Sequence, residues 1–128
     1  MEAITPRLEQ EVALLHTHIC EGFGDPKRVL ILYLLSTRPR NVTEVTEALG
    51  IPQPTVSHHL KILRDRGLIV ARKEGTAIYY SLADERIIQA LDLMRTMLAD
   101  LLAQKAGLLE YARTNGPQAT PDTFSEEE

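Results

Sequence analysis

Ser57, His58 and His59 stand in a row within Ile51 to Val70, a stretch that carries prolines at 52 and 54 and then reads as a helix. Serine beside histidine is material for nucleophilic catalysis, and paired histidines are material for a metal site. Helical geometry separates these residues. With about 100° between successive positions, Val56, Leu60 and Leu63 define one apolar face, His59 lies at its edge, and His58 points away from it. Two ligands on one helix want a spacing of about three or four, so adjacent histidines are poor partners for one ion. Neighbours on a helix do not face each other, and the sequence offers no orienting acid or oxyanion hole for a Ser57–His58 pair. A packing role for His59 and an exposed role for His58 remain.

The outward face of this helix carries Pro54, Ser57, His58, Lys61 and Asp65, flanked by Thr55 and Arg64, with Gln53 at its start. That is a hydrogen-bonding surface with added positive charge. In a helix-turn-helix, the N-terminal residues of the second helix reach base edges while nearby Lys and Arg hold phosphates. Gln53, Thr55, Ser57 and His58 are therefore the base-facing candidates, and Lys61 and Arg64 the phosphate-facing ones. The alternative is an ordinary solvated polar face.

A second candidate cluster lies on the first helix, at His16, His18 and Cys20. On an α-helix, His16 and Cys20 share a flank at a spacing of four, and His18 falls on the other side. Two ligands are too few for a soft-metal site unless another residue or subunit completes it. The pair reads as a possible inducer or redox site, an interfacial thiol being one form of it. A buried, inert cysteine at a helix edge is the other reading.

The elements that must position these residues follow from the rest of the chain. At 128 residues and 44% hydrophobic, it is long enough for one domain with a core. The expected domain covers residues 1–113, and 114–128, with four acids and no base, reads as a disordered acidic tail. No apolar run approaches a membrane span, the first twenty residues carry Arg7 as their one base, and a single cysteine fits a reducing compartment, so a cytoplasmic protein without membrane contact is expected. The net charge is −4, yet Lys27 to Lys73 holds nine bases against three acids. Only that middle region would be drawn strongly to a polyanion.

Pro6 opens a helix striped by Leu8, Val12, Leu15 and Ile19 that should end at Gly22 or Gly24. Asp25-Pro26 starts a second, nearly all-apolar helix that Arg38-Pro39 breaks. Thr43 to Leu49 and Pro54 to Arg66 are two helices joined by a tight turn. Leu68 to Ala71 and Ala77 to Leu82 read as strands around the charged turn Arg72 to Thr76, so Arg72 and Lys73 enter the turn of a hairpin beside the second helix. Such a wing places cations against the nucleic-acid backbone. A long helix from about Asp84 to Arg113 carries an apolar stripe longer than a small core requires, part of which should pack on another subunit. The fold class is mainly α with a β-hairpin wing: a winged helix-turn-helix flanked by N- and C-terminal dimerisation helices.

The wording of "DPKRVLILYLL" and of "VTEVTEALGIPQPTVSHHLKILRDRGLIVARKEGTAIYYSL" resembles the ArsR/SmtB family of winged-helix regulators, over roughly residues 25 to 110. The resemblance implies a homodimer that binds double-stranded DNA at an inverted-repeat operator, represses by covering the promoter, and is released by an inducer. Soft-metal sensors of that family carry Cys-Val-Cys where this chain has Asn41-Val42-Thr43, and zinc sensors place Asp and His on a last helix that here contains no histidine. The family wing often has Arg after its glycine; here Thr76 follows Gly75, so the wing's phosphate contact would rest on Arg72 and Lys73. No metal or other cofactor is therefore expected. No phosphate loop, carboxylate pair or triad suggests an enzyme. A winged helix serving as a protein-interaction module, without sequence-specific DNA binding, is the alternative from another class.

Overall fold

The computed structural model describes residues 4–115. Two units are distinguished along the chain, one up to Ile88 and one from Gln89 onward. Within the first unit, α1 (Pro6–Leu15) runs into a π turn (His16–Cys20) and is followed by α2 (Pro26–Thr37), α3 (Val42–Leu49), α4 (Gln53–Asp65) and the strands β1 (Ile69–Glu74) and β2 (Ala77–Leu82). The last helix, α5 (Arg86–Asn115), begins there and supplies the described part of the second unit.

Three helix starts and the end of α4 have local causes. Thr5 caps α1 by accepting from the Leu8 amide at 3.1 Å, and Asp25 caps α2 by accepting from the Lys27 amide at 2.8 Å. That amide bond is the main reason the Asp25 carboxyl titrates below its ordinary range. At α3, Asn41 and Glu44 form a reciprocal capping box, with bonds of 2.8 and 3.1 Å. The end of α4 is a left-handed turn: Gly67 has φ of 82°, and the Leu68 amide reaches back to the Leu63 carbonyl at 2.9 Å.

The core lies between α2, α3, α4 and the foot of β1. Ile31, Leu32, Leu35, Val45, Val56, Leu60, Leu63, Leu68 and Ile69 are all buried. Val56, Leu60 and Leu63 occupy the inward face of α4, as its periodicity predicts. His59 is buried beside them and His58 is exposed, which agrees with the sequence reading of both.

Several boundaries differ from expectation, α3 and α4 by a single residue and others by more. The first helix does not continue as an α-helix toward Gly22; it passes into the π turn after Leu15. The hairpin is also longer. Its strands pair from Ile69–Leu82 through Glu74–Ala77, which leaves a two-residue turn of Gly75 and Thr76, with Gly75 at φ of 66°. Arg72 and Lys73 thus lie in β1, opposite Tyr79 and Ile78, and not in the turn. A two-stranded wing leaves solvent beside its strands, so charged residues fit there. A bridge between Arg40 and Tyr80, with bonds of 3.0 and 2.8 Å, ties the wing to the linker before α3.

In α5, Leu93, Met94, Met97, Leu98, Leu101, Leu102 and Leu108 are exposed. The helix continues to Asn115, two residues past the expected end, where Thr114 Oγ1 and Asn115 Nδ2 donate to main-chain carbonyls of the preceding turn. The remainder of the predicted acidic tail, 116–128, lies outside the described residues. Among those described, no helix is long and apolar enough to cross a membrane.

His59 gives the fold a pH dependence. Arg28 only donates, and its Nη1 lies 3.2 Å from His59 Nδ1, so Nδ1 accepts and the ring is neutral with its proton on Nε2, 3.9 Å from Asp25 Oδ2. Burial lowers the His59 pKa; Asp25 opposes the shift, while Arg28, His58 and Lys27 add to it. The folded protein then binds this proton less readily than the unfolded chain. The stabilisation is complete above about pH 6.5 and is lost as the pH falls through the lowered folded pKa. Thermal melts between about pH 7.5 and 5 should show a smaller loss of Tm on acidification for His59→Gln than for the wild type; equal losses would mean that His59 is not the titrating group.

Candidate nucleic-acid interface

Because the inward face of α4 is fixed in the core, its opposite face is presented outward. Gln53, Ser57, Lys61 and Arg64 fall within about 80° of one another around the helix axis, and His58 extends the set on one side. All five are exposed. Thr55 is half-buried on a different side of the helix, away from Ser57.

The wing stands alongside this face. One open groove, of about 420 Å³, is lined by Ser57, Leu60, Lys61, Arg64, Asp65 and Tyr80. A second, of about 370 Å³, joins Ser57 to Asn41, Val42 and Thr43 at the start of α3 and to Thr76, Ala77, Ile78 and Tyr80 of the wing. Ser57 and Tyr80 line both. The structure therefore unites the α4 candidates with residues absent from the sequence-based site, namely Thr43, Thr76 and Tyr80. Tyr80 had a signal in the run of strand formers at 77–80 and Thr76 in its place after the wing glycine; Thr43 had none, since its proximity to Ser57 comes from tertiary packing.

The cations differ in how far their charge is already compensated. Lys61 Nζ lies 2.9 Å from Asp65 Oδ2, and that hydrogen bond holds the Asp65 carboxyl below its ordinary pKa. Arg72 pairs with Glu74 at 2.9 Å. Among the described residues Arg64 and Lys73 make no ion pair. These two retain the fullest attraction for an anion.

The other candidate pair is arranged differently from its sequence reading. His16 and Cys20 begin and end the π turn, so the α-helical angle between them does not apply. His16 Nδ1 is 3.8 Å from Glu21 Oε2, and Cys20 is exposed, so the burial considered for it does not hold. The cause is local: no residue of α1 or the π turn is fully buried. Among the described residues no group of three or more His, Cys, Asp or Glu is placed to hold a metal ion.

Residues 25–70, the stretch from the α2 cap into β1, match the family described as bacterial regulatory protein, arsR family. The chain is also 43% identical over 77 residues to the uncharacterized HTH-type transcriptional regulator MJ1325 of Methanocaldococcus jannaschii, an alignment covering 59% of this chain and 86% of that one. The chain belongs to the arsR family. It is a DNA-binding transcriptional regulator of the helix-turn-helix type, and its arsR-family fold is a winged helix. It is 36% identical over 103 residues to the uncharacterized HTH-type transcriptional regulator Rv0081 of Mycobacterium tuberculosis, covering 80% of this chain and 90% of that one. Its structure resembles the homodimeric winged helix-turn-helix DNA-binding domain Mb0332 of Mycobacterium bovis, with a TM-score of 0.66 and 27% identity, covering 78% and 92% of the two chains.

Within this arsR-family fold, compensated and uncompensated cations should act differently on DNA. Arg64→Ala and Lys73→Ala should each reduce the slope of log affinity against log salt by about 1, with similar losses on any duplex. Arg72→Ala should weaken all duplexes less, because Glu74 already offsets its charge. A salt titration by fluorescence anisotropy checks this; an unchanged slope for both Arg64→Ala and Lys73→Ala would remove them from the phosphate contacts.

Proposed function

We propose that two copies of this chain bind an inverted-repeat operator and repress transcription by covering the promoter. The observation that carries this reading is the juxtaposition of an exposed polar face on a core-anchored α4 with a wing that bears Arg72 and Lys73. Ser57 and His58, with Gln53 at the helix start, read base edges in the major groove; Lys61, Arg64 and the wing hold the backbone. Thr55, on another side of the helix and half-buried, is the least well placed of the base-facing candidates. The exposed apolar residues of α1 and, separately, those of α5 fit burial against a second copy. The homodimeric state of the Mycobacterium bovis neighbour supports that assembly.

The protein acts in the cytoplasm, without membrane contact and without an enzymatic activity of its own. Its inducer does not use the two metal motifs common in this family, because Asn41-Val42-Thr43 lacks thiolates, Asn41 is occupied in the α3 cap, and α5 contains no histidine. His16 and Cys20 are the place to test for induction. Exposure leaves the Cys20 thiol open to an oxidant.

Anisotropy measurements with DNA upstream of its own gene and with a scrambled duplex test the proposal, in reduced and oxidised protein, with and without zinc or cadmium. Ser57→Ala or His58→Ala should weaken the selected duplex by about 1–3 kcal/mol and the scrambled one much less. Equal losses on both would show that these side chains do not read sequence. Equal, weak binding of both duplexes by the wild type would favour a protein-interaction module. Release on oxidation that Cys20→Ser abolishes would assign the inducer site; release that persists in Cys20→Ser would exclude it.

A further inference from the structure

The π turn is held from two sides by arginines that also hold α4. In an α-helix the Glu21 amide would donate to the Thr17 carbonyl; here it donates to the His16 carbonyl at 2.9 Å. The Thr17 carbonyl instead accepts from Arg66 Nη1 at 2.8 Å, while Arg66 Nη2 pairs with Glu21 Oε1 at 2.8 Å. Arg66 is the residue that closes α4. From the other side, Arg28 of α2 donates through Nε to the Gly22 carbonyl at 3.0 Å and through Nη2 to the Glu21 carbonyl at 3.3 Å. Its remaining nitrogen, Nη1, meets His59 in the middle of α4 at 3.2 Å. Gly22 itself packs so closely on Leu68 that a Cβ there would collide with it.

We propose that Arg66 and Arg28 are positioning residues for DNA recognition, and that the π turn is the anchor from which they set the pose of α4. A shift of the turn to α-helical register would return the Thr17 carbonyl to the Glu21 amide and displace the Arg66 guanidinium. The end of α4 would lose its tether. A cavity of about 360 Å³ lined by His18, Glu21, Arg28, Ile62, Asp65 and Arg66 leaves room for that displacement. Because coupling is reciprocal, DNA that fixes α4 also fixes the turn. Neither arginine is offered as a DNA contact: both guanidiniums are committed to the turn. This inference rests on the reading of α4 as the recognition helix.

The test uses the full chain, the upstream duplex and a scrambled duplex. Arg66→Gln should lower affinity for the upstream duplex about tenfold and leave the scrambled duplex and the salt slope unchanged. Arg66→Lys should restore part of the loss. Hydrogen exchange of the amides at 17–24 should slow when the wild type binds the upstream duplex and should not slow in Arg66→Gln. If Arg66→Gln fails to fold by circular dichroism, Glu21→Gln, which weakens the same ion pair from its exposed side, replaces it with the same expected signs. Wild-type selectivity retained in the variant, or selective binding by the wild type without slower exchange at 17–24, would overturn the proposal while leaving the DNA-reading function intact. Equal binding of both duplexes by the wild type would instead refute the recognition-helix reading, and this inference with it.

Discussion

Val56, Leu60 and Leu63 pack the inward face of α4 into the same core as Ile31, Leu32 and Val45, and the α4 surface proposed to meet DNA is oriented by that burial. A helix that is core on one side cannot rotate without exposing leucines to water, at a cost of about 1.5–3 kcal/mol for each large apolar side chain. Its opposite side is thereby pointed outward with little freedom. Truncating Leu63 would reach the surface proposed for recognition as surely as changing Ser57, although Leu63 lines neither groove.

The polar contacts complete what the core begins. The Asn41–Glu44 box fixes where α3 starts, the left-handed Gly67 directs the chain into β1, and the Arg40–Tyr80 bridge attaches the wing to the α3 linker. The wing is thus held at the middle of β2, and its Thr76 faces the same groove as Ser57. At the start of α5, Asp84 accepts from the Arg86 side chain and backbone amide, which depresses its pKa to about 2. That carboxylate stays charged across the range in which His59 titrates, so the two do not confuse each other in a pH series.

The inward face of α4, the exposure of His58 and the order of helices and hairpin were legible in the sequence because they follow from local periodicity, prolines and glycines. The wing's register was misplaced because Arg72-Lys73-Glu74 has the composition of a turn; pairing with Tyr79, Ile78 and Ala77 overrides that composition. His59 was readable as a packing residue, but its partners Arg28 and Asp25 were not, since more than thirty positions separate them in the chain. The π turn left no trace in the pattern. The Thr17 carbonyl is met by Arg66, far along the sequence, in place of the main-chain amide of an ordinary helix, so the α-helical spacing assumed for His16 and Cys20 fails there.

The distribution of charge on the α4 and wing surface has a kinetic consequence. The whole chain carries −4, so at separations where DNA senses only the total, the encounter is mildly repulsive. Salt damps that repulsion beyond about 8 Å at physiological ionic strength, so at close approach the charges nearest the DNA count most. In the interface proposed above, Arg64 and Lys73 then attract a phosphate backbone. An encounter that presents α4 and the wing to the duplex is then favoured over one that presents a side without those cations.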